Sequence, residues 1–257
     1  MSVILAKGRY CMKVKKNSWI LMPVAAVVGV LLGLSGYLSP IRNTLYRFEA
    51  RSRIREYMKL HTVRKLQLGA GGNDPEGWLN SDIAPTPSEI YLDATCPYPI
   101  PDGSFQYVFS EHVIEHLTWE GGVAMLRECH RVLAPGGKIR TVTPNLRRFM
   151  QLVEKGIGPG DKQFIDAKLR IHLWPVTPIP AVYIFNGEAH EWGHQFLYDP
   201  ETLRTALDLA GFQQIIQYPV AQKTDPVFRE AERRARDPGS DLWLVNNWEA
   251  MAFEATR

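Results

Sequence analysis

Lys65-Leu-Gln-Leu-Gly-Ala-Gly-Gly72 is the stretch on which the reading of this chain turns. A short apolar run leads straight into a glycine turn. Glycines there let the backbone take positive φ and come close to a ligand. Three similar runs follow in order: Trp78-Leu-Asn-Ser-Asp-Ile83, Ile90-Tyr-Leu-Asp-Ala94 and Tyr107-Val-Phe-Ser-Glu-His112. Each reads as a strand that ends in polar or acidic residues. A glycine turn followed by carboxylates at successive strand ends describes a nucleoside crevice along the carboxyl edge of a parallel sheet.

Outward from this core, strand and helix signals alternate. Strands are expected at 64–69, 78–83, 89–93, 105–110, 137–143, 212–219 and 242–255, the last with two arms or a bulge. Helices are expected at 119–132, 144–155, 200–210 and 226–236. This alternation predicts an α/β fold with a doubly wound sheet. The helix ending near Val132 stops before Ala134-Pro-Gly-Gly137, where proline and glycine break it. Residues 156–196 interrupt the alternation with a segment rich in glycine, proline, histidine and aromatics, which reads as a lid or substrate-binding insertion.

The 257 residues suffice for one sizeable core and an appendage. The net charge of +3 is small, and no basic stripe interleaved with aromatics runs through residues 63–257, which argues against a nucleic-acid partner. Cys11, Cys96 and Cys129 have no metal or disulfide spacing, so the plain reading is reduced thiols on a cytosolic face. Residues 1–16 form a basic tail. Residues 17–41 carry no charge, with Trp19 and Tyr37 near the ends, and at about 1.5 Å per residue they can cross a hydrocarbon core of about 30 Å. This predicts a single transmembrane helix. Both its flanks are basic, so loop charge does not orient it. Residues 42–62 follow as a basic linker helix, with Ile41, Leu45, Phe48, Ile54 and Met58 near one face. That face suits either a membrane surface or the domain.

The segments from Leu66 onward resemble class I S-adenosylmethionine-dependent methyltransferases, in particular the type 11 methyltransferase domain. The resemblance rests on Leu68-Gly-Ala-Gly-Gly72, Gly77-Trp-Leu-Asn-Ser-Asp82, Pro101-Asp-Gly-Ser-Phe105, Ser110-Glu-His-Val-Ile-Glu-His-Leu117 and Glu128-Cys-His-Arg-Val-Leu-Ala-Pro-Gly-Gly137. It implies a Rossmann-like seven-stranded sheet, mostly parallel with the last strand antiparallel, and S-adenosyl-L-methionine as cofactor. By the same resemblance, Gln67, Gly69, Ala70 and Gly71 lie under the cofactor's methionine part. Asp82 and Ile83 face the ribose, Asp93 and Ala94 the adenine, and Ser110 and Glu111 the methionine end. A carboxylate suits ribose because it only accepts hydrogen bonds. The acidic residue usual two positions before the first glycine is Gln67 here, and Glu111 is the candidate to compensate.

Methyl transfer is an in-line displacement that needs alignment and, for a hydroxyl acceptor, a base. The candidates are His112, Glu115 and His116, expected on one helical face, with His194 arriving from the insertion. H-x-x-E-H resembles the E-x-x-E-H metal site of some O-methyltransferases, but with His112 in first place the set is read as base or substrate contacts, and no metal ligands are assigned. His190-Glu-Trp-Gly-His194 has the H-E-x-x-H form, yet Gly187 and Gly193 interrupt the helix that a zinc site of that type needs. The expected function is membrane-anchored methyl transfer, by O-methylation, to a small molecule, lipid-linked intermediate or glycan, with the domain on the cytoplasmic side. A non-catalytic binding module of the same fold is the alternative, and a zinc metallopeptidase a remote one.

Overall fold

The computed structural model describes residues 45–172, 178–220 and 225–257. The expected basic tail and transmembrane helix lie outside these residues. Among the described residues, no helix is long and apolar enough to cross a membrane.

Seven strands form one sheet: β1 (Lys65–Leu68), β2 (Leu79–Asp82), β3 (Ile90–Tyr91), β4 (Phe105–Glu111), β5 (Leu133–Pro144), β6 (Gln213–Tyr218) and β7 (Ala250–Thr256). Their order is β3-β2-β1-β4-β5-β7-β6. The first five pair in parallel, while β7 lies antiparallel between β5 and β6. This is a Rossmann-like mixed sheet, as expected. Because the order reverses between β1 and β4, chains leaving these two neighbouring strands diverge and open a crevice at their carboxyl ends.

Successive residues of the central strands alternate between two cores, as the pleat requires. Val108 and Phe253 join a large core with α2 (Trp119–Val132) and α6 (Pro200–Leu209). Phe109, Val142 and Ala252 instead pack with Trp78 and Phe228. On that second face the expected helix at 226–236 is absent. Two 3-10 turns, Pro226–Arg229 and Arg233–Ala235, stand there instead, and they bring Phe228 onto Trp78, Tyr107 and Phe109. The expected strand at 242–255 also divides. Asp241–Glu249 is helix α7, capped by the Ser240 hydroxyl accepting from the Trp243 amide, and only then does β7 begin. The Ser240 cap and an acidic first turn outweigh the β-prone run of Leu242 to Val245.

Helix α1 (45–60) turns Ala50, Ile54 and Tyr57 into the domain core, while Phe48 is exposed. The inward face is therefore not the one that pairs Phe48 with Ile54. Arg53 donates from Nη1 to the Glu89 carbonyl (2.6 Å) and from Nη2 to the Ser88 carbonyl (2.6 Å), which ties the helix to the turn before β3. The described residues of 156–196 include two α-helices, α4 (Lys162–His172) and α5 (Ala181–His190). With α3 (Leu146–Lys155) and α7 they build a separate small core around Phe149, Phe164, Ile184 and Val245.

Glu128 and Arg131 on α2 hold the loop that follows β3. The Glu128 carboxylate accepts from the Tyr98 amide (2.7 Å) and from Arg131, whose guanidinium also donates to the Ile100 (2.8 Å) and Tyr98 (3.1 Å) carbonyls. The hydrogen bond from Arg131 holds the Glu128 carboxyl below the usual range. A lowered folded-state pKa contributes stability that is present above the unfolded value and lost as pH falls through the folded one. Glu128→Gln should therefore cost about 1–2 kcal/mol at neutral pH. The gap from wild type should close as pH falls from about 5 towards 3. Urea titrations of both proteins across that range test this, and a gap independent of pH contradicts the assignment.

Candidate functional site

Leu66 and Leu68 are buried in the core under the sheet, and the turn after β1 opens on Gly69 with φ 60°. A Cβ added to Gly69 would lie 2.3 Å from Val113 Cγ2, so both the backbone conformation and the close approach of the β4 side require glycine. Gly71 (φ 54°) continues the turn, and its amide donates to Asp82 Oδ2 (3.1 Å) at the end of β2. Asp82 Oδ1 accepts from the Ala84 amide (2.8 Å). The carboxylate is thereby fixed at the crevice, with further acceptor capacity.

A cavity of about 530 Å³ lies over these strand ends. Gln67, Gly69, Ala70, Gly71, Asp82, Ile83, Asp93, Ala94 and Glu111 line it, together with His112 and His116. Ser110 does not. It is still inside β4, 1% exposed, with its hydroxyl 2.8 Å from Thr141 Oγ1 on β5. The assignment of Ser110 to the cofactor end is corrected accordingly: β4 runs on through Glu111, so Ser110 faces its strand neighbour. Asp93 largely serves its own loop, accepting from the Thr95 amide (3.0 Å), the Thr95 hydroxyl (2.7 Å) and the Cys96 thiol (3.3 Å). Burial alone would raise its carboxyl, but these hydrogen bonds outweigh it and hold the group low.

Sequence reasoning missed Asn73, Leu92, Val113, Leu117, Arg233 and Arg234, which also line the cavity. The two arginines come from the 3-10 turn far along the chain, and the Arg233 amide donates to Glu111 Oε2 (3.2 Å). No local motif marks them. Gln67 Oε1 and Glu111 Oε1 are buried acceptors without a hydrogen-bond partner among the described residues. Burial raises the Glu111 carboxyl despite the nearby charges of His112 and Arg234. Two unfilled acceptors in the crevice fit an ammonium donor, and the charge of Arg234 suits a carboxylate. Those are the two ends of an amino acid, so the residues present fit the methionine part of S-adenosylmethionine.

His112, expected on a helix, instead takes φ 54° at the end of β4, and only Ile114–His116 forms a 3-10 turn. Its Nδ1 lies 3.1 Å from Glu115 Oε1 and its Nε2 2.9 Å from Asn246 Oδ1. Burial and Arg234 push His112 down, but Glu115 and Glu249 overcome both and raise it. Glu115 is fully buried and accepts from the Thr143 hydroxyl (2.9 Å). Burial would raise its carboxyl, and the His112 partner lowers it further than that. His116 is lowered, chiefly by burial and then by its histidine neighbours.

A second cavity, of about 280 Å³, shares His112, His116 and Arg234 with the first. Its far wall comes from the 156–196 insertion and α7: Lys168, His172, Glu188, Trp192, His194, Val245 and Glu249. Lys168 Nζ pairs with Glu188 Oε2 (3.0 Å) and Glu249 Oε2 (2.7 Å), all three buried. Burial would lower Lys168, yet the two carboxylates raise it. Glu188 is pushed up to about 7 by burial and the Glu249 charge. Helix α5 ends at His190, and Trp192 (φ 62°) and Gly193 (φ 77°) turn the chain so that His194 meets His116, with ring centroids 4.8 Å apart. His190 and His194 therefore do not share a helix face, and the H-E-x-x-H zinc arrangement is not formed.

Residues 81–141 match the family model described as a methyltransferase domain. Among curated proteins, none matches the chain. Solved structures similar to it include an S-adenosylmethionine-dependent methyltransferase from Archaeoglobus fulgidus (16% identity, covering 82% of this chain and 94% of that one, TM-score 0.42). Another is an S-adenosylmethionine-dependent methyltransferase from Mesorhizobium loti (16% identity, 76% and 91%, TM-score 0.41). A third is phosphoethanolamine N-methyltransferase 2 of Haemonchus contortus in complex with S-adenosyl-L-methionine (18% identity, 76% and 48%, TM-score 0.40). None of these likenesses bears on the acceptor. The domain match and the sheet topology support an S-adenosylmethionine-dependent methyltransferase fold, and the crevice residues fit that cofactor.

Gly69→Ala should abolish measurable S-adenosylhomocysteine binding, since its methyl group both strains the turn and drives Val113 into the crevice. Gly136, also at positive φ but with open space around a Cβ, is the control. Gly136→Ala should cost some stability and leave binding intact. Equal binding losses in both would refute this reading of the turn.

Proposed function

We propose that the chain is an S-adenosylmethionine-dependent methyltransferase that acts on an acceptor held in the second cavity, by O-methylation of a small molecule, lipid-linked intermediate or glycan. The observation that carries this reading is the wall shared by the two cavities. His112, His116 and Arg234 border both, so a donor in the strand crevice and an acceptor against Lys168 and Glu188 would meet across it. The cofactor supplies an activated methyl on a sulfonium, and the protein's part is alignment and exclusion of water. Gln67 and Glu111 would take the ammonium end of the donor and Asp82 the ribose hydroxyls. His116, which borders both cavities, is placed to orient an acceptor hydroxyl toward the donor. The pocket combines ion-paired Lys168, Glu188 and Glu249 with apolar Ile171, Trp192, Leu242 and Val245, which suits an acceptor that has both hydroxyl groups and an apolar face.

Calorimetric titration of S-adenosylmethionine into the full chain in detergent tests the donor half. Micromolar binding that Asp82→Ala weakens at least about tenfold, by more than 1.4 kcal/mol, is expected. A folded protein that binds neither the donor nor S-adenosylhomocysteine would move the reading to a binding module of the same fold. For the acceptor half, Lys168→Met should abolish turnover of any acceptor found while leaving donor affinity unchanged. The lipid or envelope acceptor class and a single-pass anchor with the domain on the cytoplasmic side rest on the charge-free run 17–41. The full chain should accordingly sediment with membranes and resist extraction at alkaline pH, and removal of residues 1–41 should release it. Recovery of the full chain in the supernatant would exclude the anchor.

A further inference from the structure

Glu115, His116 and His194 each offer one ligand atom, and these atoms lie within 4.8 Å of one another. His112, which heads the H-x-x-E-H run, is not among them. The third member comes instead from 78 positions further along the chain, across the turn after α5.

The segment that carries His194 is strapped to the Glu115–His116 backbone. The Gln195 amide (2.8 Å) and the Phe196 amide (3.2 Å) both donate to the Glu115 carbonyl, and Gln195 Nε2 donates to the His116 carbonyl (2.6 Å). His194 therefore has a set place beside His116. Both imidazoles are also held in place. His194 Nδ1 is 2.6 Å from the Glu188 carbonyl oxygen, so it donates there and leaves the Nε2 lone pair free. His116 packs against Gly193, next to His194 in the chain, and contributes one ring nitrogen to the cluster. Glu115 is oriented in turn by the Thr143 hydroxyl at Oε2. A backbone carbonyl and a hydroxyl holding imidazole and carboxylate ligands are the outer shell that metal sites need. With His112 at Oε1 and Thr143 at Oε2, the Glu115 carboxylate is held in place and keeps spare lone pairs beside the two imidazoles.

We propose that Glu115, His116 and His194 bind a single divalent transition-metal ion, with a further coordination position open to the second cavity. Two imidazoles and one carboxylate form a mixed nitrogen and oxygen set that favours zinc, iron, cobalt or manganese over magnesium or calcium. Three protein ligands leave room for water or an oxygen of the bound acceptor. Binding of the ion requires neither methyl donor nor acceptor, so this inference stands or falls apart from the methyl-transfer reading.

The test uses the full chain in detergent, carrying no polyhistidine tag, stripped with chelator and then titrated with Co²⁺. One equivalent should develop visible absorption bands of a low-coordinate site, and Zn²⁺ should abolish them. His116→Ala and His194→Ala should lose the bands. Thr143→Val, which keeps the volume but frees Glu115, should weaken binding by about tenfold. His172→Ala, in the same cavity but outside the ligand set, should bind as wild type does. Circular dichroism establishes that each variant is folded, and His194→Gln replaces His194→Ala should the latter unfold. Absence of stoichiometric binding by the wild type overturns the proposal, as does undiminished binding in the folded His116 and His194 variants.

Discussion

Everything in this site descends from two neighbouring parallel strands that must part at their carboxyl ends. β1 and β4 pair from Lys65 with Tyr107 to Leu68 with Ser110, and then each chain turns away. Gly69 turns at φ 60° and His112 at φ 54°, and Val113 closes to within van der Waals reach of Gly69. A non-glycine residue in the left-handed region persists only where its surroundings hold it. His112 is held by its amide donating to the Val142 carbonyl (2.9 Å) and by Glu115 and Asn246 at its ring. The same bend that opens the donor crevice therefore aims His112 and His116 at the second cavity.

That second cavity is an unusual place to put charge. Lys168, Glu188 and Glu249 are almost fully buried, and charges taken out of water repay their desolvation only when paired with good geometry. Elsewhere in the sheet, buried Arg140 on β5 pairs with Glu254 opposite it on β7 (2.8 Å) and with Glu232 (3.2 Å) beside the 3-10 turn that carries Arg233 and Arg234. The two networks differ in setting. The arginine network lies within the sheet and fixes the turn that borders the donor crevice. The lysine network faces a cavity, where its polarity is available to a bound molecule.

The sequence was most legible where structure is local. The four runs that end in glycine or acid became β1 to β4, and nine of the ten residues assigned to the donor line the crevice. Ser110 is the exception, because the pleat sends neighbouring side chains to opposite faces, so Glu111 reaches the crevice while Ser110 meets Thr141 on β5. The 242–255 run misled because apolar residues in succession suit a buried helix as well as a strand, and only the Ser240 cap distinguishes them. Arg233 and Arg234 carry no signal of their own, since the turn that presents them is set by Phe228 packing on the sheet.

By itself, the sequence determined the alternating elements, the glycine turn and the carboxylates that follow it, because these depend on backbone conformation and periodicity within a few residues. It also displayed Glu115, His116 and His194 as candidates, though as members of two separate runs. Only the tertiary structure decided that the two runs meet, that His112 is consumed by Glu115 and Asn246, and that the insertion walls a second cavity beside the first. Those facts depend on backbone hydrogen bonds such as Gln195 to Glu115, between residues 80 positions apart. No periodicity along the chain encodes a contact of that range.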